Sequence, residues 1–344
     1  MGKLREEQLK EQLKSRSFSN LYLIYGEENY LKEYYVNKLK KALVDSDFAD
    51  FNLHIHEKGS SLDDILMDAQ MMPMMGEYTV VVVHDYPLTD SKEYMEKLKE
   101  FFKDVPETCV LVFWLDSITF DEKKDSKWIS IVNAFSKAGD AVNLARRSEG
   151  DLAKLVMTRA KKRGCEIDNS SARYLVNAVG LDIQTVINET EKICAYLPSG
   201  TITREVIDKL AVKSLQARVF DLSKYILSGD SDRAYNSLRA LFAQREDAIP
   251  ILAVISSYYI DMYRAKCAKA SGVTERDVMD YYNYGVRDWV LTNAARDGAR
   301  ISVVSLRQAI DILSKTDELM KSTAVDRNLL LEETVAKLLL IRNK

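Results

Sequence analysis

Apolar residues follow two different rhythms along this chain, and the rhythm changes near residue 148. In the first part, short apolar runs alternate with stretches of helical spacing. "LYLIY" (21–25), "YTVVVVH" (78–84) and "CVLVFWL" (109–115) are β-prone throughout, and the unbroken valines predict strands covered on both faces. "FNLHIH" (51–56) alternates like a strand, and "AVNLA" (141–145) reads as a short last one. A helical stretch runs from the first strand to about Val44. "SLDDILMDAQMM" (61–72) puts Leu62, Ile65, Leu66 and Ala69 on one side of a helix. A further helix from about Ser91 to Phe102 has Asp90 and Glu93 suited to a capping box. Five strands interleaved with helices predict a parallel, three-layer α/β domain.

From Glu149 onward nearly every segment has helical periodicity. "DLAKLVMTRAKKRG" ends in glycine after basic residues, a good helix C-terminus. It begins a small all-helical unit, which longer helices such as "IPILAVISSYYIDMYRAKCAKASG" follow. The predicted organisation is an α/β domain over 1–147, a small helical domain over 148–213 and a larger helical domain over 214–344. The closing stretch "DRNLLLEETVAKLLLIRNK" is amphipathic, and its apolar face suits packing between chains as well as within one.

A length of 344 residues accommodates this division. Hydrophobic residues at 47% and charged residues at 29% are ordinary for a chain with real cores. The formal net charge of -3 gives no global argument for nucleic-acid binding, so any DNA contact must come from a local patch. "MGKLREEQLKEQLKSRS" is a charged helix rather than a signal peptide, and no apolar run approaches a membrane span. The expected location is cytoplasmic. Cys109, Cys165, Cys194 and Cys267 form no CxxC and read as reduced, buried thiols. His54 and His56 share one strand face without a carboxylate or cysteine at ligand spacing, so no metal site is expected. The three histidines, all early in the chain, make no Ser-His-Asp or Cys-His arrangement.

Two short stretches carry the candidate chemistry. "GEENYLKE" follows the first strand as a phosphate-binding loop would, and Gly26 and Lys32 match that pattern. Leu31 stands where a second glycine would let the backbone curl around phosphates. Glu33 stands where a hydroxyl would hold Mg²⁺ and places a carboxylate there instead. The string is a degenerate, non-functional nucleotide loop or simply a turn into an acidic helix start. Either way, no catalytic site and no cofactor are expected. Asp116, after the fourth strand, could imitate a metal-holding aspartate, but Ser117 follows it in place of an acid.

In "AQMMPMMGEY", Met71, Met72, Met74 and Met75 crowd around Pro73, which stops a helix, and Gly76, which permits a turn. These methionines cap the sheet edge or form an apolar wedge for a partner's pocket. Arg159, Lys161, Lys162 and Arg163 form a basic cluster late in a helix. That cluster is a solvated face or a weak DNA phosphate contact.

Together, "YLIYGEENYLKE", "MMPMMGEYTVVVV", "VGLDIQTVINETEKICAYL" and "TDELMKSTAVDRNLLLEETVAKLL" resemble, in order, segments of the delta-subunit family of bacterial DNA polymerase III. The resemblance implies an AAA+-like N-terminal domain with a degenerate nucleotide site, a small helical lid and a helical collar. It implies a non-catalytic clamp-loader subunit that binds the ring-shaped sliding clamp and opens or holds open one interface. The implied partners are that clamp, primed DNA, and the ATPase and delta-prime-like loader subunits, met through the C-terminal domain. By the same resemblance the wedge falls on Met74 and Met75, supported by Met71, Met72 and Pro73. The alternatives are an active AAA+-type ATPase with an atypical loop and a scaffold with the same fold.

Overall fold

The computed structural model describes residues 2–120, 124–282, 284 and 288–342. Contacts divide the chain into two compact units that meet at Arg146 and Arg147. The first unit runs β1 (Gly2–Leu4), α1 (Glu6–Ser15), β2 (Leu21–Tyr25), α2 (Asn29–Leu43), α3 (Ala49–Asn52), β3 (Leu53–His56) and α4 (Leu62–Ala69). It continues through β4 (Thr79–His84), α5 (Lys92–Phe101), β5 (Cys109–Trp114), α6 (Ser126–Ala138) and β6 (Asp140–Asn143).

These strands form one sheet in the order β1-β6-β2-β5-β4-β3, with every neighbouring pair parallel. The all-buried runs in β2, β4 and β5 follow from helices on both faces. Leu21, Leu23, Val81, Val83, Leu111 and Phe113 pack on α4, α5 and α6 through Ile65, Leu98 and Phe135. The alternate residues Tyr22, Ile24, Val80 and Val112 point to the other face, where α2 lies. The expectation of a parallel, three-layer α/β unit holds.

Several boundaries move. A charged helix was expected at the N-terminus, and a three-residue edge strand, β1, precedes it, paired with β6. Phe51 and Asn52 belong to α3 rather than to the strand. The capping residue of α5 is Ser91, not Asp90: its hydroxyl accepts the Glu93 N–H. The helix of residues 61–72 stops at Ala69 and leaves the methionines outside it.

The second unit opens with α7 (Glu149–Lys162), β7 (Cys165–Glu166), α8 (Asn169–Val179), α9 (Ile183–Tyr196), β8 (Gly200–Thr201) and α10 (Arg204–Leu210). Then come α11 (Leu215–Ser228), α12 (Ser231–Ala243), α13 (Ala248–Ser271), α14 (Glu275–Tyr281), α15 (Asp288–Asp297), α16 (Val303–Ser322) and α17 (Arg327–Arg342). Ser148, Asp168, Asp182, Ser214, Asp230, Asp247 and Ser302 each cap a helix start with a side-chain oxygen. The long α13 is the hub of the later helices, with α11, α14, α15, α16 and α17 all against it. No described helix is long and apolar enough to cross a membrane.

Gly139 joins α6 to β6 where the backbone passes closest to β2. A Cβ there would lie 2.3 Å from the Leu21 carbonyl oxygen and 2.6 Å from its Cβ. Gly139→Ala is therefore expected to destabilise the first unit by about 1–3 kcal/mol. Hydrogen exchange of the β2 amides should accelerate roughly tenfold or more. Unchanged exchange would mean that the end of α6 gives way without strain.

Candidate functional site

Loops leave the sheet at its two ends. At its carboxyl end lie the loops after β2 and β5, where an open α/β sheet holds its ligand. Gly26 leaves β2 with φ +124, and a Cβ there would lie 2.4 Å from the Leu144 carbonyl oxygen. The Glu28 N–H donates to that same carbonyl at 3.1 Å. The loop thus closes against the chain after β6 rather than around an anion.

Lys32 is fully buried, and its ammonium donates to the carbonyls of Leu115 at 2.5 Å and Asp116 at 3.2 Å. Desolvation pushes its pKa below the usual 10.5, while Asp116, Asp85 and Glu28 oppose that shift. Leu31 is buried beside it. Glu33 was expected to bring its carboxylate to the phosphate position, but it is exposed, and the negative charge near Lys32 comes from those three acids instead.

Asp85 went unrecognised in the sequence. It follows β4 at φ +49, a left-handed conformation that aspartate tolerates better than most residues. Its carboxylate accepts from the Asp116 N–H at 2.6 Å and from the Ser117 N–H and hydroxyl at 3.0 and 2.6 Å. Burial alone would raise this carboxyl. The Ser117 hydroxyl, the Ser117 and Asp116 N–H groups and His84 bring it below its ordinary value. Asp85 therefore holds the chain that supplies the two carbonyls to Lys32.

The amino end of the sheet carries the methionines. Met71, Met72, Met74 and Met75 are 42%, 80%, 51% and 80% exposed, with Pro73 half-buried among them. Their backbone is held firmly. The buried Asn52 carboxamide donates to the Met74 carbonyl at 2.8 Å and accepts the Met74 N–H at 2.7 Å. The Thr79 hydroxyl donates to the Met71 carbonyl at 2.9 Å. Met75 is left-handed at φ +53, and a Cβ on Gly76 would lie 2.9 Å from the Asn52 amide nitrogen. This is an apolar tip on a backbone fixed by hydrogen bonds. Phe51, next to Asn52, is also exposed.

The base of the tip is tied down as well. Asp68, in the last turn of α4, lies 2.8 Å from His56 Nε2 and 3.4 Å from His54 Nδ1. The sequence spacing hid this carboxylate, which folding brings to both histidines. Among the described residues, no group of three or more His, Cys, Asp or Glu side chains could hold a metal ion. In the second unit, Arg159 and Arg163 both bind Glu191, at 2.9 and 3.2 Å, while Lys161 and Lys162 are exposed.

Asn52→Ala leaves both backbone groups of Met74 without their partner and is expected to cost about 1–3 kcal/mol locally. Amide exchange at Met74 should accelerate, and an unchanged rate would show that the tip holds its shape without Asn52. Asp85→Asn keeps the shape and loses the charge. A depressed carboxyl stabilises above its unfolded value, near 3.8, and that stabilisation is lost as pH falls through the folded value. The variant is expected to be less stable at neutral pH by about 1–3 kcal/mol, with the difference vanishing in acid. Thermal melts across pH check this, and a difference that persists in acid would assign the effect to packing.

A family model described as DNA polymerase III, delta subunit, matches residues 22–142, and one described as the C-terminal domain of that subunit matches residues 216–338. DNA polymerase III subunit delta of Bacillus subtilis (strain 168) is 26% identical over 336 residues, covering 95% of each chain. The probable DNA polymerase III subunit delta of Aquifex aeolicus (strain VF5) is 23% identical over 308 residues, covering 86% of each. The solved structure of the Bacillus subtilis DNA clamp loader delta protein has the same fold, with a TM-score of 0.63 over 97% of this chain and 99% of that one at 24% identity. The two family models together span well over half of the sequence, and this chain belongs to the DNA polymerase III delta subunit family.

Proposed function

We propose that this chain is a non-catalytic clamp-loader subunit. It binds the sliding clamp of DNA polymerase III and opens, or holds open, one interface of the ring for loading onto primed DNA. The observation that carries this reading is the methionine tip, with its side chains exposed and its backbone held by Asn52 and Thr79. Met74 and Met75 are the wedge, and Met71, Met72 and Pro73 support it. The name of the solved neighbour, a DNA clamp loader delta protein, points the same way.

No covalent chemistry is required of the subunit. The wedge fills a clamp pocket and favours a clamp conformation that a closed ring cannot adopt, so binding energy becomes a population shift. The engagement of Lys32 with the Leu115 and Asp116 carbonyls supports assigning ATP hydrolysis to other subunits. An active ATPase would have to pull that amine out of the protein and open the loop at Gly26.

The second unit is read as a lid, 148–213, and a collar, 214–344. A buried core formed entirely between Val219 and Leu339 supports the division. The collar would meet the ATPase and delta-prime-like subunits in the cytoplasm. A DNA contact at the end of α7 would fall to Lys161 and Lys162, because Arg159 and Arg163 are committed to Glu191.

Met74→Ala/Met75→Ala is expected to weaken binding to the cognate clamp, without nucleotide, by about 2–4 kcal/mol, as the loss of interface anchors does. Titration calorimetry reads the loss directly. Undiminished binding by the double variant would move the site elsewhere on the chain. Absence of binding by the wild type, both alone and with the other loader subunits and ATP, would remove the function.

A further inference from the structure

The methionine turn is held by several ties, and one of them differs in its chemistry. The Thr79 hydroxyl holds the Met71 carbonyl, and the Asn52 carboxamide holds both backbone groups of Met74. The remaining tie is at Asp68, where the chain prepares to leave α4. Its carboxylate oxygen Oδ2 lies 2.8 Å from His56 Nε2 and 3.4 Å from His54 Nδ1. Its main-chain carbonyl accepts the Met71 N–H at 3.1 Å. Asp68 therefore meets β3 through its side chain and the first methionine through its backbone.

The placement of this contact gives it leverage on the turn. His54 and His56 are two apart on β3 and share one face of the strand. Asn52 directly precedes that strand. The short segment 52–56 thus grips the turn at its start, through Asp68, and at its middle, through Met74. The segment is itself anchored, because Leu53–His56 pairs with β4 in the sheet. A carboxylate only accepts hydrogen bonds, so His56 donates to Asp68 through Nε2. Such a charge-assisted bond, in a mostly buried place, is stronger than one between neutral groups. His54 Nε2 is buried without a hydrogen-bond partner among the described residues, so the polar contact of this ring is made at its Nδ1 edge, toward Asp68.

We propose that Asp68, with His56 and His54, positions the methionine wedge for clamp binding. The inference rests on the reading of Met74 and Met75 as that wedge. None of the three positioning residues has to touch the clamp. Exposed methionine side chains gain by leaving water, and their flexibility lets them fold back onto the sheet edge. The ties at Asp68, Asn52 and Thr79 oppose that collapse. Without the Asp68 contact the end of α4 loosens and the turn samples collapsed forms. Only a fraction of the molecules then presents the wedge, and the apparent affinity for the clamp falls by that fraction.

The experiment is titration calorimetry of the full chain with its cognate clamp, joined to amide exchange on the free chain. Asp68→Ala should weaken clamp binding on the order of tenfold and speed exchange of the Met71 N–H. His56→Ala should act alike from the other side, and His56→Ala/Asp68→Ala should be no weaker than either single variant, as two halves of one contact behave. Asp68→Asn keeps an acceptor for His56 and should restore binding to within about threefold of the wild type. A circular dichroism spectrum matching the wild type establishes that each variant is folded. In the Met74→Ala/Met75→Ala background there is no wedge left to position, and Asp68→Ala should change binding little, which a general loss of stability would not produce. The proposal is overturned if Asp68→Ala binds as tightly as the wild type, if Asp68→Asn is as weak as Asp68→Ala, or if the full loss persists in the background without the wedge. Those outcomes leave clamp binding itself intact. A wild type that fails to bind the clamp, alone and with the other loader subunits and ATP, overturns the clamp-binding reading and this inference with it.

Discussion

Burial of a parallel sheet on both faces is the constraint from which the first unit follows. Such a sheet leaves no face for water or ligand, since helices must cover each side. Only its two ends remain for function. The carboxyl end, where α/β proteins hold nucleotides, is filled by the chain's own groups. At the amino end, the turn between α4 and β4 stands out from the sheet and carries the methionines. The same layered core anchors the strands from which the loops at both ends leave.

The two ends solve opposite problems. At the carboxyl end a lysine is buried, which is unfavourable unless its ammonium finds acceptors and charge. Leu115 and Asp116 supply the carbonyls, and Asp85 holds them by capping the N–H groups that follow β5. Carbonyls and acids of the chain thus take up the polar contacts of the lysine inside the protein. At the amino end apolar side chains are left in water, which is unfavourable in a different way. Asn52 donates to the Met74 carbonyl and accepts the Met74 N–H, which fixes the backbone and leaves the methionine side chains free. One end is closed by satisfied polar groups, and the other leaves apolar side chains exposed on a fixed backbone.

The helical unit obeys a simpler rule. Nearly every helix begins at a Ser, Asp or Thr whose side chain accepts an orphan N–H, so its boundaries are local. Its packing is not local. The 24-residue α13 collects contacts from helices before and after it, and a groove between α11 and α15 exists because both lie against that helix without filling the space between them.

What the sequence determined by itself was the rhythm. The valine run of β4, the apolar run of β5 and the switch to helical spacing after residue 148 were legible, because burial on two faces leaves no polar residue to interrupt a strand. The turn that carries the methionines was also visible, since Pro73 and Gly76 mark where a helix must stop, but the exposure of its side chains was not. Only tertiary structure decided what those segments do. Asn52 meets Met74 across 22 residues, and Lys32 meets Leu115 across 83. Asp68 reaches two histidines on a strand that precedes its helix. The edge strand β1 is too short to carry a period and exists only because β6 offers it a partner. Local pattern records which residues must be buried; it holds no information about which buried groups will find one another, and here those pairings decide which end of the sheet is closed.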